Sequence, residues 1–437
     1  MQPPSRRPLE AVIRDQDGRQ IARCLIQRGR YVIGQDWKNE IIVDHPTVSV
    51  KHARLTVETE TSFFIEDLES ANGTTVDGQP TEGAVAISLD NRVELGGTIL
   101  EFQRCGLPAA VFELLPEAFL RKNRYNMGEI VVQGSTSTII EAYDTSLCRS
   151  LAIKVMRPES QCRLENVLRF VREAQISSQI QHPGVLPIYE LNLDPQSQLF
   201  YTTRFVEGDS LATILDAVAA TPPSTVPPHT LRSLLLIFGK VCDTLAFAHS
   251  LGVIHCCLRP ECISVGAYGE VFVNQWGLAK VTDVDANGEP LRAPLNVAPT
   301  NAWPAVSPFT APEVATEAIE EVSARSDIYA LGAILYRILT LSDPMTPTEE
   351  RGILEMVLSN SIKPISSFKE ALPHYPGGNI PETLASLATR AMSYKPEDRP
   401  LSVSRFRHEI TSFENGTPAG EPGLWKHFSG LLGAARN

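Results

Sequence analysis

A chain of 437 residues exceeds one ordinary domain and suits two or three. Its 43% hydrophobic and 21% charged content is that of globular protein, and a net charge of -12 excludes a general affinity for nucleic acid or acidic membranes. The chain holds no apolar run of membrane-span length, and its eight cysteines include no Cys-x-x-Cys pair, so no disulfide framework or metal site is expected and a reducing, cytoplasmic setting is.

Residues 8–105 read as short strands. Ala53, Leu55 and Val57 alternate with Arg54, Thr56 and Glu58, the period of a half-buried strand. Asp17-Gly18, Asn72-Gly73 and Asp77-Gly78 are tight-turn dipeptides. Strands at this spacing, with no helical period, predict an all-β sandwich. Three loop elements stand in register: Gly34-Gln35, then Ser49-Val50-Lys51-His52, then Asn72-Gly73. Together they resemble the forkhead-associated (FHA) domain, a phosphothreonine-binding family marked by Gly-Arg, Ser-x-x-His and Asn-Gly. The resemblance implies that Ser49 contacts phosphate, Asn72 clamps the peptide backbone and His52 braces the loop. Gln35 departs from the pattern, because the family has Arg there. A guanidinium gives charged hydrogen bonds to phosphate and an amide gives neutral ones. Lys51 is the neighbouring residue that supplies charge. The competing reading is a sandwich that only docks or dimerises.

Residues 106–122 break the strand pattern and read as a linker with one short helix from Val111 to Lys122. After it come Gly134 and the run Leu151-Ala152-Ile153-Lys154-Val155-Met156, and then Val167, Phe170, Val171 and Ala174 keep helical period beside Glu173. Phe200-Tyr201-Thr202-Thr203-Arg204-Phe205 follows, and residues 219–228 are a Pro-rich insert. Leu231 to Ala248 reads as a long core helix that stops at Gly252. It delivers the chain to His255-Cys256-Cys257-Leu258-Arg259-Pro260-Glu261-Cys262, which is followed by Asn274-Gln275-Trp276-Gly277. Ala311-Pro312-Glu313, Ser326-Asp327 and Asp398-Arg399-Pro400 come later. In this order the segments resemble the eukaryotic-like Ser/Thr protein kinases, from a glycine turn to a late arginine. The implied fold is α+β and bilobal over 123–412, with an N-lobe at 123–204, a C-lobe at 205–412 and a tail at 413–437.

The same resemblance implies ATP as the nucleotide, with Gly134, Ala152, Lys154, Glu173 and Thr203 as its contacts. It also assigns Glu313, Asp327 and Arg399 structural parts. The chemistry departs. Cys256 stands where the family has Arg, Cys257 where it has the catalytic Asp, Cys262 where it has a metal-binding Asn, and Gln275 where it has a metal-binding Asp. Phosphoryl transfer needs Mg²⁺ over the phosphates and a residue that orients the hydroxyl. Mg²⁺ favours hard oxygen, so a thiol suits it poorly. An ordinary thiol is expected at Cys257, with no basic group beside it in the chain, and the three loop cysteines are expected to fill small apolar spaces. Asn274, Glu261, Asp283 and Asp285 are the carboxylates and amide nearest to a rescue.

The expectation is an FHA domain joined to a degenerate kinase-like domain. Such a chain works by binding a phosphothreonine-containing protein or an active kinase. A weakly active Ser/Thr kinase and a nucleotide-binding switch without turnover are the alternatives.

Overall fold

The computed structural model describes residues 9–59, 62–104, 124–194, 198–222, 225–285, 291, 295–298, 302–347, 352–368, 372–375 and 380–415. The expected linker and the tail beyond 415 lie outside these residues. The described chain forms two bodies, each taken by itself below.

The first is a sandwich of two sheets. One sheet orders Gln20–Ile26, Leu9–Arg14, Thr98–Arg104, Val93–Leu95, Thr74–Val76 and Gln79–Pro80. The other orders Ile41–Ile42, Gly29–Gly34, Ala53–Thr59, Ser62–Asp67 and Ala84–Ile87. The alternation read at 53–57 is met: Ala53, Leu55 and Val57 are buried in the core with Ile13, Ile33, Ile65 and Leu95. Each large aliphatic side chain so buried stabilises the fold by ~1.5–3 kcal/mol. Asp77 and Gly78 both have positive φ and close a two-residue hairpin in which Val76 faces Gln79. Asn72-Gly73 makes no hairpin: it lies between Ser62–Asp67 and Thr74–Val76, strands of different sheets. Its loop is shaped by Asp67, whose carboxylate accepts bonds from Ser70 N–H at 2.8 Å, Ser70 Oγ at 2.7 Å and Thr74 Oγ1 at 2.6 Å.

The second body has two lobes. Its sheet runs Tyr125–Gln133, Ser137–Asp144, Arg149–Met156, Leu199–Thr203 and Ile188–Leu193. The Leu164–Gln179 helix packs Phe170 and Ala174 into a small core with Met156 and Tyr201. The helical lobe is built around the Leu231–Ser250 and Ala324–Thr340 helices, with Glu382–Ala391 and Val403–Glu414 against them. Thr230 caps the first of these helices, its hydroxyl accepting from Ser233 N–H. Ser323 and Ser326 form a reciprocal box at the start of the second. That second helix is buried at every position from Ser326 to Tyr336, Asp327 included, so it is enclosed on every side. Among the described residues no helix is long and apolar enough to cross a membrane.

Candidate functional site

On the sandwich, four hydrogen bonds draw the loops around residues 35, 49 and 72 together. Gly34 is the pivot. A Cβ there would overlap the Val50 carbonyl and lie 2.7 Å from that of Ser49, so only glycine lets the two segments approach. Ser49 N–H donates to His52 Nδ1 at 3.0 Å, which leaves the proton on Nε2, 3.1 Å from the Gly73 carbonyl. Fully buried His52 thereby joins the Ser49 loop to the Asn72 loop. Ser49 Oγ accepts Ala71 N–H at 2.9 Å and keeps its own proton to donate. Asn72 Nδ2 donates to the Thr47 carbonyl at 2.7 Å, and Gln35 Nε2 to the His45 carbonyl at 2.8 Å. Gln35, Lys51 and Asn72 are exposed and Ser49 is half-buried. Geometry thus gathers every residue expected from the sequence onto one loop cluster.

Burial pushes His52 below its ordinary value. The sign follows directly. Below about pH 6.5 the unfolded chain takes up a proton that folded His52 refuses, so stability is complete above that pH and falls on acidification. His182 and His374 are depressed by burial in the same direction in the second body. The melting temperature of the intact protein is therefore expected to drop between about pH 7.5 and 5.5. Equal melting at both would contradict this placement of the imidazoles.

In the second body Lys154 faces Tyr201 across adjacent strands, and Ala152 faces Thr203. Lys154 Nζ lies 2.8 Å from Glu173 Oε1, with side chains 16% and 13% exposed. Tyr201 donates its hydroxyl to the same oxygen at 3.1 Å. Gly277 permits this geometry: a Cβ there would come within 2.7 Å of the Arg169 carbonyl on the helix that carries Glu173. Thr203 Oγ1 is committed to the Pro187 carbonyl at 2.7 Å. Gly134 N–H closes its own turn onto the Ser137 carbonyl at 2.9 Å, and Arg157 holds the Thr136 and Gly134 carbonyls.

Sequence reasoning missed what fixes that helix. Arg172, buried, donates to the Ala279 carbonyl at 2.6 Å and to that of Ala298 at 2.5 Å. Gln175 Oε1 accepts Ala298 N–H at 2.7 Å, and Gln179 donates to the Asn296 carbonyl at 3.1 Å. Positions 172, 175 and 179 share one helix face, so segment 296–298 is zipped to the helix that presents Glu173. The available signal was Arg172 beside Glu173.

The loop after the long helix hangs from Asp327, which is 1% exposed. Its carboxylate accepts His255 N–H at 2.8 Å and Cys256 N–H at 2.9 Å, and lies 2.7 Å from His249 Nε2. Burial pushes Asp327 upward, but the hydrogen bond and charge of His249, with His255, outweigh it and hold the carboxyl below its usual range. His255 Nε2 donates to the Asn274 carbonyl at 2.8 Å, and Asn274 N–H to the Cys262 carbonyl at 2.8 Å. The two motifs separated in the chain are therefore one structure. Cys262 is fully buried and donates its thiol to the Cys257 carbonyl at 3.3 Å. Gln275 takes the left-handed region, φ 68 and ψ 43, a conformation costing about 1–2 kcal/mol in a non-glycine residue. Glu261 lies 3.7 Å from Arg259 and 3.9 Å from Arg337, and Asn274 Nδ2 donates to Ser264 Oγ.

Cys257 departs from expectation. Its interaction with Cys262, opposed by burial and aided by His255 and the positive Arg259 and Arg169, holds it below the ordinary thiol value. The chain order concealed this, because Arg169 arrives from the Leu164–Gln179 helix. Cys256 and Cys262 behave as the sequence suggested, with thiols pushed up, Cys256 by burial and Cys262 by its bond to Cys257 and then by burial. As for Mg²⁺, the Cys262 sulfur is soft and its S–H already engaged, so this donor set does not fit the ion.

Comparison with known proteins gives the class. The protein kinase domain family matches residues 125–410, more than half of the chain, and the chain belongs to that family. The FHA domain family matches residues 31–96. "Serine/threonine-protein kinase PknD" of Protochlamydia amoebophila strain UWE25 is 29% identical over 308 residues, covering 68% of this chain and 30% of that protein. The protein of the same name from Chlamydia caviae is 30% identical over 317 residues, 70% of this chain and 32% of its own. The chain thus spans about a third of the length of these curated relatives. It is a multidomain chain, with an all-β region matched by the FHA family before a body of the protein kinase family.

Proposed function

We propose that this chain is a cytoplasmic signalling adaptor whose sandwich recognises phosphothreonine peptides and whose kinase body binds partners without transferring phosphate. The observation that carries the reading is the Cys257–Cys262 arrangement. Where phosphotransfer needs a carboxylate and an amide oxygen, the loop presents two thiols bonded within it. Losing a general base alone costs ~10²–10⁴ in rate, and weak metal coordination adds to that loss. The three lost groups act as a unit, so their costs do not simply multiply. On the sandwich, the Ser49 hydroxyl, the Asn72 amide and the Lys51 ammonium are the donors for a phosphorylated peptide, and Gln35 weakens the grip.

A second reading, a nucleotide-binding switch, is favoured by the intact Lys154–Glu173 pair. Lys154 would meet the phosphates of ATP, with Ala152 and Thr203 beside the base. Thermal shift with ATP separates the readings. No rise in melting temperature in either condition would sink the switch, an equal rise with and without Mg²⁺ would favour it, and a rise that requires Mg²⁺ would sink the adaptor reading in favour of an active kinase.

A further inference from the structure

Three thiols in one loop, with the Cys262 sulfur seated on the Cys257 carbonyl, call for an explanation beyond lost phosphotransfer. We propose that Cys257 and Cys262 form a peroxide-responsive pair, Cys257 as the attacking thiol and Cys262 as the resolving one. The proposal is independent of whether the body transfers phosphate. The geometry is local and specific. Pro260–Cys262 is a single 3-10 turn that folds Cys262 back beneath Cys257. Cys262 Sγ lies 3.3 Å from the Cys257 carbonyl oxygen, so its sulfur is held against the Cys257 residue. Both thiols are unpaired, and Cys257 is partly exposed while Cys262 is buried. That is the order needed, with an attacking thiol that peroxide can reach and a resolving thiol protected from it. His255 N δ1 receives the Cys257 N–H at 3.3 Å, and Arg259 and Arg169 add positive charge, the electropositive setting that favours a thiolate. Cys256, next in the chain, is half-buried like Cys257, but its thiol donates to the Ile254 carbonyl at 3.4 Å, so it is turned away from the pair.

The chemistry balances with a hydroperoxide as oxidant. The Cys257 thiolate attacks one peroxide oxygen, a sulfur–oxygen bond forms, the oxygen–oxygen bond breaks, and hydroxide leaves and takes a proton. Cys262 sulfur then attacks Cys257 sulfur. The sulfur–sulfur bond forms as the sulfur–oxygen bond breaks, and the hydroxyl departs as water with the Cys262 proton. Two thiols lose two electrons in total and the peroxide gains them. The product is a covalent tie across the turn that joins the ends of the kinase-type loop, reversible by a dithiol reductant.

The test is peroxide titration of the full chain, alkylation of remaining thiols in acid, and cleavage after Glu261, which separates Cys257 from Cys262. Two linked peptides are expected, two fewer thiols are expected to titrate, and both changes should reverse with dithiothreitol. In Cys262→Ser, Cys257 is expected to accumulate as sulfenic acid trapped by dimedone, and in Cys257→Ser the link disappears while Cys262 stays reduced. Melting of each variant within a few degrees of the parent, measured alongside, shows that the fold is retained. Oxidation of the exposed Cys148 and Cys162 before any Cys257–Cys262 link appears would overturn the proposal, as would a link that uses Cys256.

Discussion

Replacing Glu313 with Ala is expected to cost the kinase body about 3–5 kcal/mol of stability, because it leaves a buried charge without its partner. Arg399 Nη1 and Nη2 meet Glu313 Oε1 and Oε2 at 2.6 and 2.9 Å, a two-pronged pairing. The side chains are 0% and 2% exposed, so water does not replace the lost carboxylate. Ser326 Oγ, 2.6 Å from Glu313 Oε1, loses its acceptor in the same change. The carbonyls of Ser393, Tyr394 and Arg325 still receive Arg399, but as neutral dipoles. Urea denaturation measures the loss, and a change under about 1 kcal/mol would show that the pair is not the anchor described. Joint replacement by Glu313→Leu and Arg399→Met is expected to cost less than the sum of the single changes, since no lone charge remains.

Replacing Gln35 with Arg is expected to tighten phosphothreonine-peptide binding about tenfold or more. Charge-assisted hydrogen bonds contribute ~1.5–3 kcal/mol against ~1 for neutral ones, and tenfold is about 1.4 kcal/mol. The amide of Gln35 now serves the His45 carbonyl. A guanidinium has donors enough to keep that bond and still reach phosphate. The gain should shrink as salt is raised and vanish for the unphosphorylated peptide. Titration of one peptide in both forms measures it. An unchanged affinity for the phosphorylated form would place the phosphate away from residue 35.

The sandwich was legible in the sequence because its strands bury one face, and alternation at 53–57 carries that information directly. Turn chemistry was a poorer guide. Asp77-Gly78 closes a hairpin and Asn72-Gly73 crosses between sheets, although the dipeptides look alike. The difference is made by Asp67, whose bonds to Ser70 and Thr74 shape the loop and override the turn preference of the dipeptide. In the kinase body the residues in motifs were legible, from Lys154 and Glu173 to Asp327 and Arg399. What brings distant segments onto one another was not. Arg172 holds segment 296–298 from more than a hundred positions away, and the charge of Arg169 acts on Cys257 from nearly ninety positions earlier in the chain. Such charges act through space, and chain order does not encode the distance.

Phosphotransfer is the most direct measurement. The unmodified protein and a Cys257→Asp, Cys262→Asn, Gln275→Asp triple variant are incubated with labelled ATP, Mg²⁺ and a generic protein acceptor. The unmodified protein is expected to transfer no label above background, and the triple variant, with its Lys154–Glu173 pair in place, to gain measurable transfer. Transfer by the unmodified protein that is lost in Lys154→Ala would contradict the adaptor reading and make this chain an active Ser/Thr kinase.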